Sequence, residues 1–208
     1  MNTNIAIDNL VRCETVDQET FAKLCKKHSR RLYPHHEIYE QYCSLQEYIE
    51  CPPEQLFAYL SQTESLLEWT YSLRNMATTN TPGLVMFGDK IGGPTKCYCR
   101  TESDAEALTV DYHCAWDQSE ELWMIYYMRI IPAQEILNKP GSIVTWTNCG
   151  HPYYKNNPYP ELAPEQRQIW VGDGWPFFKA GHALELENLK KICEYRYKEG
   201  INVSDFSY

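Results

Sequence analysis

The sequence has no long hydrophobic run and no recognisable export signal. A helix that crosses a bilayer needs roughly 18 or more consecutive apolar residues, and no stretch of the chain reaches that length. The first residues, MNTNIAIDNLVRCETVD, also lack the basic flank and apolar centre of a secretory signal. We therefore expect a cytoplasmic protein without a transmembrane segment. All nine cysteines are then expected to be reduced, and their odd number agrees with free thiols.

The chain also lacks an excess of positive charge. Its 19 Lys and Arg are outnumbered by 28 Asp and Glu, which gives a formal net charge of -9. Proteins bind nucleic acids through a positive field that neutralises phosphates. The charge balance therefore argues against nucleic acid as a partner.

Motifs of the common catalytic and metal-binding classes are missing as well. The sequence contains no nucleotide-binding glycine pattern and no Ser-His-Asp order. Cys97 and Cys99 form a C-x-C pair on a predicted strand, but no second pair stands at zinc-site spacing. Buried thiols that act as small apolar side chains explain this pair better. We expect neither a metal nor a cofactor.

Aromatic side chains are abundant. The chain contains 16 Tyr and 6 Trp, and aromatic residues make up 13% of it. Tyr and Trp combine an apolar body with a polar tip, which suits an interface or a partly polar pocket. A tyrosine-rich core and surface would give the same composition.

The order of the predicted elements is the most informative feature of the chain. A strand at 42–50 is ended by Pro52 and Pro53, which also suit the first turn of a helix. Short helices at 53–60 and about 63–74 come next, then a series of alternating strands. An amphipathic helix at about 176–198 follows. This order predicts an α+β fold in which a curved antiparallel sheet wraps around the last helix.

Two further segments flank or interrupt this domain, which we assign to residues 41–208. Residues 1–40 form a predicted extension with one amphipathic helix at about 17–30. Residues 150–166 are rich in Pro and Tyr and too long for a simple turn, so we expect a loop that gates a site. Disorder is the alternative for this loop.

The predicted strand at 121–131 is apolar on both faces, which requires cover on both sides. Residues 1–40 of the same chain are one source of that cover. A second copy of the chain in a homodimer is the other source, and the dimer is the preferred alternative.

The element order, together with the segment CPPEQLFAYLSQTESLLEW at 51–69, resembles the START-like superfamily. This superfamily is also called SRPBCC, or the Bet v 1-like helix-grip fold. Its terminal helix motif is matched in part by Glu187-Asn188-Leu189-Lys190, and the resemblance covers about residues 42–198. It implies an internal cavity for a small hydrophobic or aromatic molecule. The superfamily includes lipid carriers and polyketide cyclases, and the chain looks most like a polyketide cyclase/dehydrase-like member.

The terminal helix carries the sharpest site prediction. Phe178, His182, Leu186, Leu189 and Cys193 recur at helical spacing and form one stripe, which faces the cavity in a helix-grip fold. His182 then lies near the helix N-terminus, which disfavours its protonation and leaves an imidazole suited to general-base work. A buried histidine satisfied by a neighbouring group is the structural alternative. Glu185 lies about 60° off this stripe by helical geometry, which argues against a metal pair with His182.

The strands supply the remaining candidates. Period-two alternation places Tyr112 and Trp116 on the inner face of the strand at 108–117, where the Tyr112 hydroxyl is a candidate acid. On the next strand either Tyr126, as a third catalytic candidate, or Arg129 faces the cavity, and a surface salt bridge is the alternative for Arg129.

Two more candidates belong to the end of the last long strand. Trp146 is predicted to line the cavity with Phe178, and His151 is predicted near its mouth, with an exposed loop histidine as the alternative. The expected function is therefore a cofactor-independent enzyme that acts on a small aromatic or polyketide-like molecule by acid–base chemistry. A non-catalytic carrier for a lipid or hydrophobic metabolite is the alternative.

Overall fold

The computed structural model of the protein describes residues 7–32 and 42–206. Seven strands in these ranges form one curved antiparallel sheet, and five α-helices accompany it. The helices are α1 Gln18–Leu32, α2 Pro53–Leu60, α3 Leu66–Trp69, α4 Ala133–Leu137 and α5 Phe178–Glu199. The strands are β1 Tyr42–Ile49, β2 Leu73–Thr78, β3 Leu84–Asp89, β4 Thr95–Asp104, β5 Thr109–Trp116, β6 Met124–Pro132 and β7 Ser142–Cys149.

The sheet order β1-β7-β6-β5-β4-β3-β2 follows from hairpin connections between consecutive strands from β2 to β7. The first strand, β1, then closes the other edge by pairing with β7, from Tyr42 opposite Cys149 to Ile49 opposite Ser142. Alternate residues of β5 and β7 point to the concave face, where they pack with Leu186, Leu189 and Ile192 of α5 in one core. The predicted α+β helix-grip fold is confirmed.

The helix predicted at 63–74 is shorter than expected, and the strand β2 was not predicted. A 3₁₀ turn at Thr63–Ser65 and the short helix α3 end at Trp69, and Thr70 is already extended, with φ -76° and ψ 152°. Arg74 stabilises this reversal because its guanidinium donates to the carbonyls of Thr70, Tyr71 and Leu73. The predicted helical pattern did not include these side-chain bonds to the backbone, which favour the extended conformation from Thr70 onward.

The described part of the predicted extension packs on the same body as the sheet. Val11 N–H donates to Asn188 Oδ1 at 3.0 Å, and Asn188 Nδ2 donates back to the Val11 carbonyl at 2.8 Å. The Phe21 ring of α1 stacks on Tyr71 with 3.7 Å between the ring centroids. Residues 1–6 and 33–40 of this predicted segment lie outside the described residues.

The position of α1 bears on the cover predicted for the strand at 121–131. Helix α1 lies against α5 and the segment before it, while Ile125, Tyr127 and Ile131 on the outer face of β6 stay only half-buried. The described residues of the extension therefore do not form that cover. The homodimer remains a prediction.

The predicted loop at 150–166 contains two 3₁₀ turns and is tied to the rest of the chain. Arg167 forms an ion pair with Asp117, and its guanidinium lies 5.3 Å from the Trp116 ring and 5.2 Å from the Trp170 ring. Gly172 sits so close to Tyr154 that a Cβ atom would meet the Tyr154 backbone. These contacts fix the loop beside the end of β5.

All nine cysteines are free in the structure, and seven of them are buried. No helix in the described ranges combines the length and apolar character needed to cross a membrane.

Candidate functional site

A cavity of about 380 Å³ lies between the concave face of the sheet, α5, α1 and the segment 169–178. The residues at its edge that are exposed to solvent, Gln18, Ala22, Asp173 and Phe177, mark its mouth. Aromatic side chains form much of its wall: Phe21, Trp69, Tyr71, Tyr112, Trp116, Tyr126, Trp146, Phe177 and Phe178. Phe21 belongs to α1, so the N-terminal segment forms one wall of the cavity.

His182 lies on the cavity wall, as its position in the α5 stripe predicts. Its ring stacks on Trp146 at 4.2 Å between centroids and meets Tyr126 edge-on at 5.6 Å. The Nδ1 atom is buried and has no hydrogen-bond partner among the described residues. Burial lowers the pKa of His182 to about 3, so the imidazole is neutral at physiological pH. Desolvation, and not the helix N-terminus expected from the sequence, is the cause of this neutrality.

Glu185 also lies on the cavity wall, one helical turn after His182. Its Oε1 accepts a hydrogen bond of 2.7 Å from Tyr71 N–H. Burial raises its pKa to about 7. The hydrogen bond from Tyr71 and the charge of Arg74 lower this pKa, and the charge of Asp89 raises it. This carboxyl group is therefore poised to gain or lose a proton near neutral pH. Sequence reasoning set Glu185 aside because it lies off the apolar stripe.

A second carboxyl group, that of the buried Asp89 at the end of β3, also lines the cavity. It accepts hydrogen bonds of 3.0 Å from Trp116 Nε1 and from Ile91 N–H. Burial raises the pKa of Asp89, although these hydrogen bonds and the charge of Arg74 oppose that shift. No sequence motif marked this residue, because its role depends on where the sheet brings β3.

Tyr112 and Trp116 lie on the concave face, as the alternation along β5 predicts, and both line the cavity. The Tyr112 hydroxyl donates to the Leu60 carbonyl at 2.6 Å, so this proton already has a partner within the fold. Tyr126 faces the cavity from β6, and burial raises the pKa of its hydroxyl well above the usual value. Trp146 and Phe178 complete the set of predicted residues that the structure brings together.

Two predicted ligand-binding residues do not line the cavity. Arg129 lies on the outer face of β6, where it forms an ion pair with Asp111 and sits 5.5 Å from the Tyr127 ring. Because side chains alternate along a strand, Tyr126 points inward and Arg129 outward. His151 begins the loop after β7, and its Nδ1 accepts a hydrogen bond of 3.2 Å from Tyr153 N–H. The imidazole packs 5.4 Å from Trp123 instead of reaching the mouth of the cavity.

Within the described residues, no cluster of three or more His, Cys, Asp or Glu side chains has the arrangement of a metal site. His182 and Glu185 both line the cavity from α5.

No family model and no curated protein matches this chain. Among solved structures it is similar to the Zhui aromatase/cyclase from Streptomyces sp. R1128, with a TM-score of 0.51 and 10% identity over 74% of this chain and 94% of the other. The protein XoxI from Bacillus cereus gives a TM-score of 0.50 with 11% identity over 74% and 95%. A START superfamily protein from Mycobacterium smegmatis gives 0.46 with 15% identity over 77% and 99%.

These identities are low, so the likeness establishes the fold and leaves the reaction open. The chain has a helix-grip fold, and the first two neighbours carry that conclusion.

Proposed function

We propose that the protein is a cofactor-independent enzyme that acts on a small aromatic molecule within the cavity. Acid–base catalysis of a cyclisation, dehydration or condensation fits the groups on its walls. One observation carries this proposal: His182 and Glu185 lie one helical turn apart on α5, and both line an otherwise largely aromatic and apolar cavity. A binding site usually combines apolar walls with a few convergent polar groups, and an active site needs titratable ones.

Glu185 is the proposed general base and acid. With a pKa of about 7, its carboxylate form takes a proton from a carbon next to a substrate carbonyl, and the C–H electron pair moves toward the carbonyl oxygen. In a dehydration, the enolate electron pair then forms a C=C bond as the adjacent C–OH bond breaks, and the protonated carboxyl group gives its proton to the departing hydroxyl, which leaves as water. No oxidant or reductant enters this sequence.

His182 is the proposed partner that stabilises the substrate oxygen. A neutral imidazole can donate one hydrogen bond, and a buried environment strengthens that bond relative to water. Its stacking on Trp146 and contact with Phe178 hold the ring in one orientation. Tyr126 lies beside His182, and its hydroxyl is a second hydrogen-bond donor in this proposal.

The aromatic walls have a separate role in this proposal. They hold a planar substrate in a reactive conformation, which reduces the entropy that the reaction step must still lose. A neighbour with the same fold is named an aromatase/cyclase, which supports a substrate with rings or ring-forming carbonyl groups.

A non-catalytic carrier is the second candidate, and the apolar part of the lining favours it. The aliphatic and thioether residues of the cavity wall are Leu66, Leu73, Ile91, Met124, Ile169 and Val171. A carrier would retain its ligand unchanged, whereas the enzyme converts it.

Native mass spectrometry after exposure to a metabolite extract identifies the ligand, and turnover of that compound then tests the proposal. Glu185→Gln keeps an oxygen that can accept from Tyr71 N–H but removes the titratable proton. We expect turnover to fall about 100- to 10,000-fold, which is far more than the loss of ligand affinity. Glu187→Gln, on the same helix but outside the cavity lining, is the matched control. A ligand that binds wild-type protein and is never converted would establish the carrier instead.

A further inference from the structure

The charged residues on the cavity wall all have the same sign. Within the described ranges they are Asp89, Glu185 and Asp173, and no Lys or Arg joins them. Asp173 stands at the mouth, and the other two lie deeper, so acidic groups extend from the entrance inward. The imidazole of His182 carries no compensating charge, because burial keeps it neutral.

The guanidinium of Arg74 does not line the cavity, although its charge acts on both Asp89 and Glu185. It is bound to Glu14, with 2.6 Å between Nη2 and Oε2, and to three backbone carbonyls. Glu14 offsets part of this charge, and it also pairs with Arg12 at 3.5 Å. When they are ionised, the three acidic side chains of the cavity wall outnumber Arg74, so the acidic end of the cavity carries a net negative potential, which a buried site focuses on a ligand.

Aromatic rings surround this acidic end. Trp116 donates its indole N–H to Asp89, and the backbone of Tyr71 donates to Glu185. Phe21 stacks on Tyr71, and all three rings line the cavity. Ring faces attract cations by about 0.5–2 kcal/mol each, so rings and carboxylates together favour the same kind of ligand.

Unused hydrogen-bonding capacity remains in the wall. Tyr71 N–H is the one protein donor to Glu185 among the described residues, which leaves Oε2 for a ligand. The indole N–H of Trp146, a residue 4% exposed in the same wall, has no partner among the described residues. The acidic end can thus accept hydrogen bonds from a ligand, while Trp146 has one to donate.

We propose that the ligand of this cavity is an organic cation, namely an aromatic or arylalkyl amine whose ammonium group lies at Glu185 and Asp89. This inference rests on the proposed function in one respect, that the cavity is the ligand site. The amine donates to Glu185 Oε2, and its ring packs between the aromatic walls. An anionic ligand of the same size is disfavoured by the acidic groups.

Binding of an amine at Glu185 should be coupled to the release of a proton. An ammonium group favours the charged carboxylate, so binding to protein with a protonated Glu185 releases that proton. Because the pKa of Glu185 is about 7, roughly half a proton is released per ligand at pH 7. Almost none is released at pH 9, where the carboxyl group is already ionised.

Calorimetric titration of the full chain with three probes of similar size tests the proposal: phenethylamine, 2-phenylethanol and 3-phenylpropionate. We expect the amine to bind at least about 10-fold more tightly than the alcohol, and the acid most weakly. Titrations in buffers of different ionisation enthalpy should detect proton release at pH 7 and almost none at pH 9. Glu185→Gln should remove both the preference for the amine and the proton release, and Glu187→Gln should keep both.

Equal or tighter binding of the alcohol or the acid overturns the inference. The neutral dye Nile red, titrated separately, reports whether the cavity accepts a ligand at all. If the dye binds and the amine does not, this inference fails and the proposed function stands. If neither the dye nor any probe binds, the proposed function fails together with the inference.

Discussion

Glu68 is buried against α5 and Glu185 is half-buried on α5, and the two carboxyl groups have different partners. Glu68 accepts a hydrogen bond of 2.7 Å from Arg196 Nη2 and one of 2.6 Å from the Tyr59 hydroxyl. Glu185 accepts from one backbone N–H and has no cation beside it in the cavity wall. The charge of Glu68 is balanced by Arg196 within the fold, whereas Glu185 can still bind a ligand.

This difference separates a structural carboxyl group from a functional one. A buried charge is tolerated where a partner of opposite sign and hydrogen bonds replace its hydration. Where that partner is missing, the pKa rises and the group becomes a proton donor and acceptor near neutral pH. The fold therefore tolerates at Glu185 an instability that it avoids at Glu68.

The largest expected effect comes from breaking the paired carboxylate. Arg196→Met leaves Glu68 buried without its cation, which should lower the free energy of unfolding by about 3–5 kcal/mol. Urea unfolding at pH 7 measures this loss. The double variant with Glu68→Gln removes the unpaired charge and still accepts from Tyr59, so it should recover at least half of the loss. If the free energy of unfolding of Arg196→Met lies within about 1 kcal/mol of the wild-type value, Arg196 is not needed to balance the charge of Glu68.

A smaller effect with a distinct pH dependence is expected at Glu185. The folded protein holds this proton more tightly than the unfolded chain, since the pKa is about 7 when folded and 4.5 otherwise. Wild-type stability should therefore fall as the pH rises from about 4.5 to 7, by about 3 kcal/mol at most. Glu185→Gln cannot ionise, so it should be more stable than wild type at pH 8.5 and nearly equal at pH 4.5. Thermal unfolding from pH 4.5 to 8.5 measures this stability difference, with Glu187→Gln as the control. A stability gain of Glu185→Gln that is the same at every pH would contradict the raised pKa of Glu185.

The smallest effect is expected at the solvent-exposed ion pair between Arg129 and Asp111. The Arg129 and Asp111 side chains are 40% and 22% exposed on the outer sheet face, so their attraction is screened. Arg129→Ala should change the free energy of unfolding by less than about 1 kcal/mol, and added salt should reduce that change. Denaturant unfolding at low and high ionic strength measures both. A loss of several kcal/mol would mean that this pair is shielded by something beyond the single chain, as the predicted homodimer would do.

The sequence pattern predicted most of the fold because its signals are local. Pro53 begins α2 as predicted, and the alternation along β5 correctly places Tyr112 and Trp116 on the inner face. The end of α3 was missed, because the side chain of Arg74 stops the helix from a position beyond it.

The site was predicted in part. His182 and Phe178 lie on the cavity wall because a helical stripe has one buried side, whereas Arg129 points away from it. Glu185 was set aside on helical geometry, which assumed that one narrow stripe of α5 meets the cavity. Helix α1 adds a further wall, so the cavity also reaches the side of α5 where Glu185 lies.

Periodicity and proline placement determined by themselves that this chain forms a sheet around a terminal helix, because side-chain direction repeats every two residues in a strand and about every 3.6 in a helix. Only the tertiary structure decided which charges stay unpaired. Asp89, Glu185 and Phe21 are far apart in the sequence and meet at one cavity. Their ionisation depends on burial and on neighbours from other elements, which no local pattern contains.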